Sequence, residues 1–142
     1  MDAKEALAKS SIFSALERDS LDALARAATL RRFAPGELLV KEGDEAVAFF
    51  VVCDGQAEAV KGLGQEGERV VGTLNQGDFF GEMALLDGFP RATGVRAAGD
   101  CECLVLTRWD FLAVVRSNIE VALAILPVLS RRLRNCEDQL LP

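Results

Sequence analysis

The sequence contains no histidine, and this absence removes several kinds of chemistry at once. Histidine-activated nucleophiles, histidine general bases and histidine-containing metal sites are all excluded. No apolar stretch reaches the length of a membrane span, and the first residues, MDAKEALAKS, lack the continuous apolar core of a secretion signal. We therefore expect no histidine-dependent enzymatic activity, no bound metal and no association with a membrane.

Basic residues and paired cysteine spacings are scarce as well. Sixteen lysines and arginines oppose 22 acidic residues, which gives a formal charge of −6, and the chain has no long basic run. Such a chain is poorly suited to binding the phosphates of nucleic acid, so we expect no direct nucleic-acid binding.

The four cysteines, Cys53, Cys101, Cys103 and Cys136, form no CxxC motif. This pattern indicates reduced thiols and a cytoplasmic location.

The composition changes twice along the chain and divides a single predicted domain, 1–142, into three zones. Residues 1–29 are rich in alanine and leucine and have no glycine or proline, which favours helices. Residues 30–107 hold all 12 glycines between short apolar runs, as expected of an all-β sandwich or barrel. Residues 108–142 return to a helical pattern.

Two helices fit the last zone, at roughly 108–116 and 118–140. Thr107 and Ser117 each begin the spacing of an N-terminal capping box, with an acidic residue three positions later. The caps therefore place one helix start after each of these residues. Trp109, near the first start, is expected to pack in the core.

The second of these helices carries an apolar seam at alternating steps of three and four residues. A seam of this kind packs either against a second copy, as a homodimer through residues 118–140, or against the protein's own barrel. Its seven positions are few for an independent coiled coil, so we favour packing on the barrel. Pro127 interrupts the helix, and we expect a kink or a break there. The seam positions are Ile119, Ala122, Leu126, Leu129, Leu133, Cys136 and Leu140.

One segment, residues 79–93, does not fit a plain β-sandwich. Gly81 precedes a short run of helix formers, and the backbone N–H groups at the start of a helical turn suit an anion. Arg91 carries a planar, permanently charged fork that matches a phosphate. Glu82 would repel a phosphate, but its carboxylate accepts hydrogen bonds from paired hydroxyls. A ligand with both a phosphate and a free ribose hydroxyl would satisfy both side chains.

The same segment carries a long motif. Residues 80–97, FGEMALLDGFPRATGVRA, resemble without a gap the phosphate-binding cassette of cyclic nucleotide-binding domains, the family of the catabolite activator, kinase and channel type. LNQGDFFGE, which overlaps its start, and LSRRLRN, near the end of the chain, resemble further stretches of the family. The resemblance implies a β-jelly-roll that holds a cyclic nucleotide, with flanking helices that move when the ligand enters.

The resemblance also implies roles for single residues. Arg91 would pair with the cyclic phosphate, and Glu82 would accept a hydrogen bond from the ribose 2′-hydroxyl. Backbone N–H groups near Gly81, Ala84 and Ala92 would complete the phosphate cradle. The implied ligand-binding residues are Gly81, Glu82, Met83, Ala84, Arg91, Ala92 and Thr93.

The base of the nucleotide would meet a second group of residues. Ala59 and Val71 match positions where the family lines its base pocket with apolar side chains. Arg132 matches an arginine that reaches towards the site. Cys136 and Glu137 match positions that read the adenine amino group in the catabolite activator type. The carboxylate of Glu137 can accept from that amino group, whereas a thiol is a poor partner.

The predicted function is a cyclic nucleotide-binding regulatory module without catalysis. Ala92 follows the arginine directly, where many cyclic GMP-selective members have threonine, and this favours cAMP over cGMP. The alternative is a ligand-free jelly-roll that acts as a dimerisation or docking module. A metal-dependent jelly-roll enzyme would need a histidine cluster, and a DNA-reading helix-turn-helix is missing before the chain ends at Pro142. We therefore expect neither of those activities from this chain.

Overall fold

The computed structural model describes residues 3–10, 12–44, 47–88 and 93–140, with the side chains of 139 and 140 excepted. Within these ranges the elements are α1 (Ala3–Ala8), α2 (Arg18–Ala27), β1 (Thr29–Phe33), β2 (Leu38–Val40), β3 (Ala48–Asp54), β4 (Ala57–Lys61), β5 (Arg69–Leu74), β6 (Phe79–Phe80), a 3₁₀ helix (Glu82–Leu85), β7 (Gly94–Ala97), β8 (Cys101–Thr107), α3 (Arg108–Ser117) and α4 (Ile119–Leu140).

The described strands form two four-stranded antiparallel sheets, in the orders β1-β8-β3-β6 and β2-β7-β4-β5. Both sheets contribute to the core between them. Phe50 and Phe80 of the first sheet stack with ring centroids 4.7 Å apart, and Val95 and Ala97 of the second sheet belong to the same cluster. The predicted sandwich between flanking helices is therefore present.

The helices cover the outer side of the first sheet. Strand β3 is buried on both faces, so that Phe50 packs between the sheets while Phe49 packs against the helices. The ring of Phe13 meets those of Phe49 and Phe111 at centroid distances of 5.6 and 6.1 Å. Full burial of such a side chain contributes about 1.5–3 kcal/mol, so this layer holds the helices on the sheet. Its buried members include Leu7, Ile12, Leu24, Val51, Leu85, Leu104, Leu106, Val121 and Ile125.

The start of α3 agrees with one prediction and contradicts another. Thr107 caps the helix, because its hydroxyl accepts a hydrogen bond from the Asp110 amide at 3.1 Å. The prediction that Trp109 packs in the core is wrong, since its side chain is 64% exposed. Phe111 follows two positions later, on the opposite side of the helix, and is the residue that α3 buries.

The predicted capping box at Ser117 is also wrong. Its hydroxyl donates to the carbonyls of Ala113 and Val114 at 3.3 and 3.2 Å, so Ser117 ends α3 and does not begin α4. Asn118 lies between the two helices, across a bend of 113°. Its side-chain amide donates to the hydroxyl of Ser20 in α2 at 3.4 Å. The junction of α3 and α4 is therefore tied to an N-terminal helix.

Helix α4 runs without a break through Pro127, so the expected break is not found, and the alternative of a kink stays a prediction. A proline inside a helix removes one backbone hydrogen bond. The helix is held together by packing on both sides of that position, where Val121, Ile125 and Val128 are buried.

Within the described ranges no single helix is long and apolar enough to cross a membrane. Helices α3 and α4 reach the required length and apolar character only when they are taken as a pair across their bend.

The apolar seam of α4 faces largely away from the protein, contrary to the favoured prediction. Residues between the seam positions, such as Ile125, make the contact with the core instead. Val121, Ile125 and Val128 repeat the alternation of four and three one position before the seam, which is about 100° round the helix, and this second apolar stripe is the one that is buried. Leu129 packs partly against the core, whereas Ile119, Leu126 and Leu133 are 60%, 59% and 62% exposed.

The four cysteines are unpaired. Cys101 and Cys103 lie in the core between the sheets with their sulfurs 3.7 Å apart, and Cys136 is exposed on α4. Burial raises the pKa of the Cys53, Cys101 and Cys103 thiols, so these groups stay protonated and unreactive at neutral pH. The free thiols agree with the prediction of reduced cysteines, and the cytoplasmic location stays a prediction.

Candidate functional site

The segment predicted to bind the ligand is entered through a glycine. Gly81 has the left-handed values φ 83° and ψ 14° and caps the 3₁₀ helix. This conformation costs other L-residues about 1–2 kcal/mol, so the sharp entry into the turn favours glycine. Phe79–Phe80 pair with β3 on one side of Gly81, and Ala84 and Leu85 are buried on the other. The predicted helical turn is therefore present and fixed at both ends.

One amide of the predicted phosphate cradle is already engaged inside the turn. The Ala84 amide donates to the Gly81 carbonyl at 2.9 Å, so a phosphate would share or displace this bond. Thr93 lies half-buried immediately before β7. Arg91 and Ala92 lie outside the described residues, and their predicted roles stay predictions.

Glu82 and Arg132, which were assigned to the ribose and the base separately, are in contact. Arg132 of α4 places its Nη1 atom 3.5 Å from Oε1 of Glu82 and 3.6 Å from the sulfur of Met83. The side chain of Arg132 is 34% exposed, and that of Glu82 is 20% exposed. Ion pairs that keep access to water contribute about 1 kcal/mol or less, so a ligand hydroxyl can compete for the carboxylate.

An apolar cleft of about 180 Å³ lies where the turn, α3 and α4 meet. The turn contributes Leu85 and Leu86, and each of the two helices contributes part of one face. A shift of the turn by a fraction of the cleft width would change its contacts with both helices, because packed interiors do not deform continuously. The helical lining consists of Phe111, Leu112, Val115, Ala122, Ile125, Leu126 and Leu129.

The residues predicted to surround the base fall in two places. Ala59 on β4 pairs with Gly72 of β5, and Val71 occupies a β-bulge beside that pair with its side chain 51% exposed. Cys136 and Glu137 are exposed near the end of α4. Residues 133–138 of α4 therefore face solvent in this arrangement.

Sequence reasoning missed Arg108, which joins the turn to α3. Its Nη2 atom donates to the carbonyl of Leu86 at 3.5 Å, and its backbone amide donates to the carbonyl of Val47 at 2.8 Å. An arginine at the first position of a helix carries no sign of such a contact in the sequence, since Leu86 lies 22 residues away.

The model of the family described as the cyclic nucleotide-binding domain matches residues 30–118. The chain belongs to the cyclic nucleotide-binding domain family. The matched range begins in β1 and ends at the junction of α3 and α4, so it contains both sheets, the Gly81 turn and α3.

Three relatives place this cyclic nucleotide-binding domain among regulators. The cyclic AMP receptor protein of Thermus thermophilus is 35% identical over 133 residues, which cover 92% of this chain and 61% of the relative. The N-terminal domain of a transcriptional regulator from Streptomyces coelicolor is 26% identical with a TM-score of 0.88, and 96% of each chain is covered. The regulatory domain of Toxoplasma gondii PKA, solved with cAMP, is 31% identical with a TM-score of 0.71 over 79% of this chain and 42% of that one.

These findings confirm the predicted family and the β-jelly-roll with flanking helices. The chain is a cyclic nucleotide-binding regulatory module. It spans between 13% and 61% of the length of the curated relatives compared with it.

Proposed function

We propose that this module binds cAMP, with the cyclic phosphate at Arg91 and the Gly81 turn and the ribose at Glu82. The observation that carries the proposal is the contact between Glu82 and Arg132. The carboxylate suited to the 2′-hydroxyl is held by a side chain of α4, so a ligand that takes this acceptor also changes what α4 is bound to.

Signalling is proposed to follow from this shared contact. A ligand shifts the balance between two arrangements only if it interacts differently with each of them. Glu82 meets this condition, because a ribose hydroxyl would share the carboxylate with Arg132 when α4 is in contact and would have it alone when α4 has moved away. The cleft formed by Leu85 and Leu86 then passes a displacement of the turn to α3 and α4.

The preference for cAMP over cGMP has two supports. Ala92 stands where many cyclic GMP-selective members have threonine. The Thermus relative is a cyclic AMP receptor protein, and the Toxoplasma regulatory domain was solved with cAMP.

We propose that the nucleotide is bound without chemical turnover, which agrees with a chain that has no histidine. We place the protein in a reducing compartment such as the cytoplasm, which agrees with its four unpaired thiols.

Calorimetric titration with cAMP, cGMP and linear AMP tests this function. We expect saturable binding of cAMP, weaker binding of cGMP, and little binding of AMP, whose phosphate is not closed into a ring. Chromatography of the nucleotide after incubation should return cAMP unchanged. A folded protein that takes up none of the three nucleotides would favour the ligand-free docking module instead.

We further propose that two copies pair through residues 118–140. The support is the exposed row of Ile119, Leu126 and Leu133, because a contiguous apolar strip of this kind is usually covered by another surface. Light scattering coupled to size exclusion, run with and without cAMP in the same titration series, should detect a dimer. A strict monomer at every concentration and in both states would exclude this pairing.

The Glu82→Gln variant should weaken cAMP binding by about 0.5–1.5 kcal/mol, the net contribution of one hydrogen bond. The loss should be smaller for 2′-deoxy-cAMP, which has no hydroxyl to offer. Glutamine also loosens the contact with Arg132, but that change affects both ligands equally, so the ratio of the two affinities isolates the ribose contact. Glu66→Gln, at an exposed loop position, is the matched control. Equal losses for both ligands would remove Glu82 from the ribose.

A further inference from the structure

Arg108 is held in an incomplete set of hydrogen bonds. Its Nη2 atom donates to the Leu86 carbonyl at 3.5 Å, which is long for an N–H···O bond. Its Nε atom is buried, and no hydrogen-bond partner for it exists among the described residues. The backbone amide of the same residue is bound to the Val47 carbonyl at 2.8 Å, so the base of the side chain is fixed beside the first sheet.

An arginine in this condition is informative because its charge cannot be removed. Arginine is a permanently charged residue type that presents its donors in a rigid planar fork. Buried donors are almost always paired in native proteins, and an unpaired one on a charged group is unfavourable. Among the described residues, the arrangement of the turn therefore leaves Arg108 with fewer hydrogen bonds than its donors can make.

The acceptor that meets this fork is the Leu86 carbonyl, and the other carbonyls at the end of the 3₁₀ helix are next to it in the chain. The last carbonyls of a helix have no donors within the helix and are available to side chains. Leu86 immediately follows that helix and already receives the Nη2 bond. Since the amide of Arg108 is fixed at Val47, movement of the turn, more than movement of the α3 start, would bring a carbonyl to Nε.

We propose that Arg108 is a positioning residue that favours the nucleotide-bound arrangement of the turn. When the phosphate binds the backbone amides of the Gly81 turn, the end of the turn near Leu86 moves towards Arg108. Both Nε and Nη2 of Arg108 then donate hydrogen bonds to carbonyls of the turn. The side chain thus couples occupation of the site to α3 without touching the ligand. This inference rests on the proposed binding of cAMP at the Gly81 turn.

The test compares the affinity for cAMP and the melting temperature of the free protein in three variants. Arg108→Met removes the fork but keeps much of the apolar stem, and Arg108→Lys keeps the charge without the Nε donor. We expect both to bind cAMP about tenfold more weakly, within the usual range of coupling between sites. The melting temperature of the free Arg108→Met protein should be unchanged or higher, because an unpaired buried donor has been removed. Arg116→Met, at an exposed position of α3, should match the natural chain in both measurements.

Three results would overturn this inference, and they can be told apart. If the natural chain binds cAMP and both Arg108 variants bind it equally well, the inference is wrong and the proposed function stands. If the free Arg108→Met protein melts at a lower temperature or fails to fold, Arg108 has an ordinary structural role and the inference is again wrong. If the natural chain binds no cyclic nucleotide, the proposed function is wrong, and this inference is wrong with it.

Discussion

The Arg91→Ala variant is expected to bind cAMP about 10- to 150-fold more weakly than the natural chain, a loss of ~1.5–3 kcal/mol. This is the contribution of a hydrogen bond to a charged group, and the cyclic phosphate is the charge that Arg91 is proposed to meet. Arg91→Lys keeps the positive charge but loses the planar fork, so its affinity should lie between those of the natural chain and the alanine variant.

Isothermal calorimetry measures this effect directly, and circular dichroism shows whether each variant is folded. Arg26→Ala is a suitable control, because Arg26 is exposed in the last turn of α2 on another part of the molecule. A folded Arg91→Ala protein with the affinity of the natural chain would remove this arginine from the phosphate site, whatever the ligand proves to be.

The second large effect concerns stability and is expected for Gly55→Ala. Gly55 turns the chain between β3 and β4 with φ at +80°, and an added Cβ atom would overlap the Asp100 carbonyl oxygen and lie 3.1 Å from the Cα atom of Cys101. Both neighbours are backbone atoms, so neither can rotate away. We expect about 1–2 kcal/mol from the left-handed conformation and a further loss of about 1–3 kcal/mol from overpacking.

Gly36→Ala separates these two contributions. Gly36 has nearly the same φ, +81°, but an added Cβ atom there meets nothing within 4 Å. Urea unfolding of both variants should therefore show the conformational loss alone at position 36 and a clearly larger loss at position 55. Equal free energies of unfolding for the two variants would mean that the turn beside Asp100 relaxes at little cost.

Local signals in the sequence were sufficient for parts of the fold. The Thr107 cap and the start of α3 followed from a hydroxyl and an acidic residue three positions apart, a contact made within one turn. The same spacing at Ser117 failed, because that hydroxyl can equally well bond back to the helix that precedes it. Pro127 was expected to kink or break α4, and the break is absent because the packing of Val121 and Ile125 outweighs one lost hydrogen bond.

The candidate site was predictable only as far as the motif extends. Gly81 and its helical turn could be read from a run of adjacent residues, and the resemblance implied that Arg132 reaches the same region. The contact of Arg108 with Leu86 could not be read in this way, since it depends on how α3 is seated against the sheet. The direction of the α4 seam was likewise set by tertiary packing, which periodicity alone does not contain.

The exposure of Trp109 gives the protein an optical reporter of its own. The chain has one tryptophan and no tyrosine, so ultraviolet-excited indole emission comes from a single known position. That position directly follows Arg108 at the start of α3, and its indole is in contact with water. A change in emission wavelength or anisotropy would therefore report motion of this helix start in the unlabelled molecule.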